Sequence, residues 1–223
     1  MRIALLAATL LMPLSEAASL TGSVVDSAGA SIKHAAMELA SAGKKYETRA
    51  DDAGAYQFSN LPAGEYTLTI LAPPFKQLTV KSIGLLEREE KRIPEITLTV
   101  GYPCGGQPDF RDFARLLPDV VFGQMSGSVV PAAAGVDVIL ICRTFHACGS
   151  TKTDSSGHFS FGMLSAGVYG LSFHRDGFFP EEPTGYAYYV NAGVESVYTP
   201  LRLEQCPDGN CEAKIQRTLP SCE

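Results

Sequence analysis

From Leu20 onward the chain is written in short alternations of apolar and polar residues. Leu20, Gly22 and Val24 share one phase, and Met37 and Leu39 share another. Tyr56 and Phe58 alternate with Gln57 and Ser59, and Tyr66, Leu68 and Ile70 with Thr67 and Thr69. Leu78-Thr-Val80 and Ile96-Thr-Leu98-Thr-Val100 repeat the pattern, while Lys44 to Arg49 reads as a more polar strand. A period of two is that of a strand with one buried face. Turn chemistry separates the runs: Asp51-Asp-Ala-Gly54 and Leu61-Pro-Ala-Gly64 place carboxylate, proline and glycine where the chain must reverse. Residues 51–70 therefore predict turn, strand, turn, strand: a hairpin with aromatic residues on its inner face.

The hairpin is written twice. Asp154-Ser-Ser-Gly157-His-Phe159-Ser-Phe161 and Leu164-Ser-Ala-Gly167-Val-Tyr169-Gly-Leu171 repeat Gly54, Phe58, Leu61, Gly64 and Tyr66 at a constant offset of 103. Gly22-Ser-Val24-Val25 and Gly127-Ser-Val129-Val130 open the two units. Ile96 to Val100 closes the first and Leu201-Arg-Leu203 the second, with Leu98 and Leu201 again 103 apart. Val136 to Cys142 reads as the most buried strand of the second unit. Abundant Gly and Pro and many short strands predict an all-β chain of two tandem Greek-key sandwiches, about seven strands each.

These residues resemble the carboxypeptidase regulatory-like domain, a transthyretin-like or starch-binding-like β-sandwich. The resemblance rests on the Gly-x-Val-Val strand, the Asp-x-x-Gly-x-aromatic-x-Phe-x-x-Leu-x-x-Gly-x-Tyr-x-Leu hairpin, and the turns at Phe75 and Phe178. It covers both units, and the chain reads as signal peptide 1–17, sandwich 19–101, linker 102–122, sandwich 123–204 and a cysteine-rich tail 205–223. In carboxypeptidases this domain is not the catalytic part. The resemblance therefore implies a binding or scaffold module, because a common sandwich hosts many activities. Related pilin domains of the collagen-adhesin B type often hold a Lys–Asn isopeptide bond beside an acid. Thr67 to Ile70 and Gly170 to Phe173 offer no acid, so that bond is not expected here.

The start of the chain adds a location. Arg2, the apolar run Ile3 to Leu14 and the small-residue pattern Ser15-Glu-Ala17 read as a secretory signal peptide, too short to span a bilayer, which needs ~20 apolar residues. A secreted or periplasmic protein is expected, with no membrane span. The 18 Lys and Arg against 24 Asp and Glu give a net charge of −6, which argues against nucleic acid as a partner. Glu87 to Arg92 is a charge run that reads as a solvated loop or helix end. In the linker, Asp109 is placed to cap a short helix carrying Phe110, Phe113, Leu116 and Leu117, which Pro118 would stop. So apolar a linker is expected to pack and to restrain the two units.

All six cysteines lie at or beyond Cys104. In an exported chain an even count reads as disulfides. The simplest arrangement pairs Cys142–Cys148 across a hairpin, Cys206–Cys211 around a short loop, and Cys104–Cys222 between linker and tail. The alternative is zinc, but Cys206-x4-Cys211 is wider than a Cys-x2-Cys knuckle and the tail has no histidine.

Chemistry is sparse. His34, His146, His158 and His174 form no ligand spacing, the serines lack a Gly-x-Ser-x-Gly context, and the Asp-rich turns fall short of a calcium loop. No catalytic residue, metal site or cofactor is nominated. The expected function is a secreted, non-catalytic scaffold binding an extracellular or envelope protein. The alternative is a carbohydrate-binding module using Tyr186, Tyr188 and Tyr189, though the chain has no Trp. A hydrolase with an unrecognised site is a further alternative.

Overall fold

The structure is a computed structural model that describes residues 17–100, 111–118, 121–142, 146–179, 188–207 and 211. The first unit holds β1 (Ala18–Val25), β2 (Ala36–Ser41), β3 (Lys44–Arg49), β4 (Ala55–Leu61), β5 (Gly64–Leu71), β6 (Leu78–Leu85), β7 (Glu90–Arg92) and β8 (Ile96–Thr97). One strand, β9 (Arg111–Leu116), follows. The second unit holds β10 (Gly123–Val130), β11 (Asp137–Ile141), β12 (Ala147–Lys152), β13 (His158–Leu164), β14 (Gly167–His174), β15 (Tyr188–Val190), β16 (Val194–Tyr198) and β17 (Leu201–Arg202). Each unit thus has eight described strands where about seven were expected, and the described residues contain no α-helix.

The hairpin folds the same way in both places, and the hydrogen bonds show why. Asp51 Oδ1 accepts from the amides of Ala53 and Ala55 at 2.8 and 2.9 Å, and Asp154 Oδ1 from Ser156 and His158 at 2.8 and 2.9 Å. Gly54 and Gly157 then take φ of 74° and 77°, where a side chain would be strained. Both glycines also face backbone: a Cβ on Gly54 would fall 2.5 Å from Val24 O, and one on Gly157 3.1 Å from Val129 O. After the second turn the Tyr66 hydroxyl donates to Pro62 O at 2.7 Å, and Tyr169 to Ser165 O at 2.8 Å. In register, Gly22 faces Tyr56 and Leu20 faces Phe58, just as Gly127 faces Phe159 and Met125 faces Phe161.

Two hydrophobic clusters result. One gathers Leu20, Val24, Met37, Leu39, Phe58, Tyr66 and Leu68, the other Met125, Val138, Leu140, Phe159, Phe161 and Phe173. The first also takes in Ala114 of β9 and Val194 of β16, so it reaches across the unit boundary.

Three expectations need correction. The described part of the linker is a strand, not a helix. Phe113, Leu116 and Leu117 fit a helical period, but β9 lies between two sheet edges whose backbone groups need partners. It pairs in parallel with β6 (Val80↔Ala114) and antiparallel with β16 (Ser196↔Ala114). Tertiary pairing overrides the local period; Asp109 and Phe110 lie outside the described residues. The charged run is not all loop, because Glu90–Arg92 forms β7 in parallel with β1. Finally, the closing strands correspond at an offset of 105. Ile96 pairs with Val24 as Leu201 pairs with Val129, and the Leu98 and Leu203 amides donate to Val25 and Val130. The opening strands carry the same offset of two extra residues.

β9 fuses one sheet of each unit into a nine-stranded sheet. Its path is β13-β10-β16-β9-β6-β5-β2-β3, with β17 also on β10. Against it stand β4-β1-β7 with β8 in the first unit, and β12-β11-β14-β15 in the second.

Candidate functional site

The first and second units meet along β9, which pairs with β6 of one and β16 of the other. Along this strand Ala114 points into the first core, and Phe113 and Arg115 flank it. Lys81 Nζ stands 3.7 Å from the centroid of the Phe113 ring and the Arg115 guanidinium 4.9 Å from it. Arg115 pairs with Glu195 of β16 at 3.1 Å, and the Ser126 hydroxyl donates to the same carboxylate at 2.6 Å. One outer face thus links β6, β9, β16 and β10.

On the inner side Arg111 is 1% exposed. A guanidinium taken out of water must find acceptors for its N–H groups. Nη2 donates to Thr97 O at 2.9 Å and Nη1 to Asn191 Oδ1 at 3.3 Å, and the Tyr189 ring lies 5.7 Å from the guanidinium carbon. Asn191 Nδ2 in turn donates to Thr97 Oγ1 at 3.0 Å and Glu95 O at 3.3 Å. Lys76 Nζ donates to the Arg111 carbonyl. Arg111 belongs to the linker, Thr97 and Glu95 to the first unit, and Asn191 to the second. A lone arginine reads as solvated, and only its apolar neighbours Phe110 and Phe113 signal burial at Arg111.

Of the tyrosines nominated for a ligand, Tyr188 and Tyr189 are described. Tyr188 is 6% exposed and packs edge-on against Tyr198 at 4.9 Å between centroids, inside the second core. Its ring is not on offer to a sugar. Tyr189 is half-buried beside Arg111, and Tyr186 lies outside the described residues. Cys142 bonds to Cys148 with S–S 2.03 Å, and Cys206 to Cys211 with S–S 2.02 Å. Cys104 and Cys222 lie outside the described residues, as does nearly all of 1–17.

The four histidines are exposed, and no group of three His, Cys, Asp or Glu side chains able to hold a metal occurs among the described residues. No helix there is long and apolar enough to cross a membrane. Among the described residues one buried side chain has an unsatisfied polar atom, the Tyr56 hydroxyl. Burial pushes that phenol well above the usual tyrosine range.

Residues 19–99 match the family model described as the carboxypeptidase regulatory-like domain. Serine-aspartate repeat-containing protein F of Staphylococcus epidermidis is 28% identical over 146 residues, covering 62% of this chain and 8% of that protein. The chain thus spans less than a tenth of the length of the curated relatives it matches. Among solved structures, the Bacillus anthracis TIE protein aligns with TM-score 0.34 and 16% identity, over 85% of this chain and 34% of that one. The minor pilin of Streptococcus agalactiae aligns with TM-score 0.32 and 13% identity, over 88% and 99%. A putative carbohydrate binding protein from Bacteroides uniformis aligns with TM-score 0.28 and 12% identity, over 85% and 99%.

Proposed function

We propose that this chain, whose residues 19–99 form a carboxypeptidase regulatory-like domain, is an exported, non-catalytic scaffold in which two such sandwiches act as one rigid body. The second copy, residues 123–204, is assigned on the recurrence of its hairpin, its aromatic seats and its strand pairings. The observation that carries the reading is β9. A flexible tether would leave two sheet edges open, whereas β9 pairs with both and brings a buried Arg111 to acceptors on each unit. Such construction suits a protein that holds binding faces in a fixed geometry for an extracellular or envelope partner. The leader-like start and the two disulfides support an oxidising compartment.

The test is chemical labelling of intact cells with a membrane-impermeant amine reagent, followed by cross-linking and mass analysis. Labelled protein with bonded cysteines, cross-linked to an envelope protein, is the expected result. Protein recovered unlabelled from the cytoplasm with free thiols would overturn the reading.

A further inference from the structure

A cleft of about 540 Å³ opens on the first unit where the outer face of β4-β1-β7 meets the end of β3. Three strands lay a flat polar row across it. Gln57 faces Thr21 in register, and Thr21 faces Arg92. Ser23, Thr48, Arg49 and Asp51 complete the polar wall, with Asp51 Oδ1 accepting from the Ala53 and Ala55 amides, and Tyr56, whose hydroxyl is buried and unpaired, forms part of the lining. Ala55 is the only aliphatic side chain there.

The second unit is an internal control, because its fold at this place is the same. Pairing in register sets Ser126 against Ser160 and Val197, Phe159 against Gly127, and Lys152 against Asp137. Thr21, Gln57, Arg92, Tyr56 and Arg49 therefore correspond to Ser126, Ser160, Val197, Phe159 and Lys152. Both guanidinium groups and the phenol are particular to the first unit. The lysine at the Arg49 position is neutralised by Asp137 at 2.5 Å, whereas Ala36 stands opposite Arg49 and offers nothing. Arg49 donates only to a backbone carbonyl, His34 O, at 3.4 Å. Among the described residues no carboxylate lies within ion-pair distance of Arg49 or Arg92. Beyond β16 the second unit is also covered by β9, while β7 has no further strand on its outer side among the described residues.

We propose that this cleft binds an acidic saccharide: the guanidinium groups of Arg49 and Arg92 take a hexuronate carboxylate, and Thr21, Ser23, Thr48 and Gln57 pair with ring hydroxyls. Guanidinium matches a carboxylate in a planar fork. Hydroxyl and amide side chains both donate and accept, as sugar hydroxyls require. Neighbouring strands place the row at ~4.8 Å intervals, about the width of one sugar ring. The wall lacks the apolar pockets that an acidic peptide would use for its side chains. This site lies away from β9 and stands apart from the scaffold reading.

The test titrates the full exported chain with oligogalacturonate and with hyaluronan oligosaccharides. Calorimetry and backbone amide shifts are the readouts. The control ligands are methyl-esterified oligogalacturonate and polyglutamate. Arg92→Val, Arg49→Lys and Gln57→Ser borrow the residues of the second unit, so the fold accepts them, and an unchanged melting temperature verifies it. At least one uronate is expected to bind, with shifts centred on Thr21 and Gln57. Arg92→Val should weaken it roughly tenfold, as losing one charge-assisted contact does. The ester should bind far more weakly. Silence with both uronates, equal affinity for the ester or for polyglutamate, or affinity unchanged in Arg92→Val and Arg49→Lys would overturn the proposal.

Discussion

The Tyr56 ring lies across Gly22: a Cβ built on that glycine would fall 2.4 Å from the phenolic oxygen and 2.6 Å from the ring carbon bearing it. Phe159 lies across Gly127 in the same way, its ring carbons 2.7 and 2.9 Å from the missing Cβ. The glycine that opens each Gly-x-Val-Val strand is thus a seat for an aromatic ring. Gly22→Ala should destabilise the first unit by about 1–3 kcal/mol, the usual cost of overpacking. Urea unfolding checks this, and a neutral result would mean that the ring swings clear.

Phe159 needs no hydrogen bond in its seat, whereas the Tyr56 hydroxyl is buried without one. An unpaired buried hydroxyl costs about 1–3 kcal/mol. Tyr56→Phe is therefore expected to leave the first unit as stable or up to about 1 kcal/mol more stable. A clear loss would reveal a partner for the oxygen.

Asn60 in β4 and Met163 in β13 occupy equivalent positions near the strand ends, with φ of 58° and 55°. Asparagine tolerates that left-handed region and methionine does not. Met163 is also 77% exposed, so it packs little. Met163→Asn should stabilise the second unit by about 0.5–1 kcal/mol, read as a higher denaturation midpoint at unchanged slope.

The first unit contains no cysteine. The two disulfides of the described residues close loops with sequence separations of 6 and 5. Loops so short contribute at most about 2 kcal/mol each by restricting the unfolded chain. Reduction should lower the melting temperature of the second unit and leave the first almost unmoved, as hydrogen exchange on each unit will report.

Hydrogen bonds from the His158 and Ser156 amides hold the Asp154 carboxyl below the usual range, with burial opposing and His158 assisting. A depressed folded value means that the turn is favoured above the unfolded value, about 3.9, and loses that support as pH falls through the folded one. Carbon-detected titration should find the Asp154 midpoint below that of an ordinary aspartate; a midpoint at or above it would remove the link.

The hairpins were legible because Asp51, Gly54, Pro62 and Gly64 act through their nearest neighbours in sequence, and because Phe58 and Tyr66 keep strand phase. The linker was not. Phe113 and Leu116 carry a helical spacing, and only the edges of β6 and β16, far away in sequence, make Arg111–Leu116 a strand. The same holds for Tyr188, which looks exposed until Tyr198 is brought against it. Arg92 was read within a charged loop, and its partner strand β1 lies some seventy residues earlier. What depends on local turn chemistry could be read; what depends on who sits beside an edge could not.

The proposed single body rests on β9 and Arg111. Residual dipolar couplings measured on the full chain test it most directly. Amides of residues 19–100 and 123–204 are expected to fit a single alignment tensor of common magnitude and orientation. Arg111→Ala, which leaves Asn191 Oδ1 and Thr97 O without their donor, should split that tensor. Two tensors of different magnitude in the unaltered chain would contradict the account.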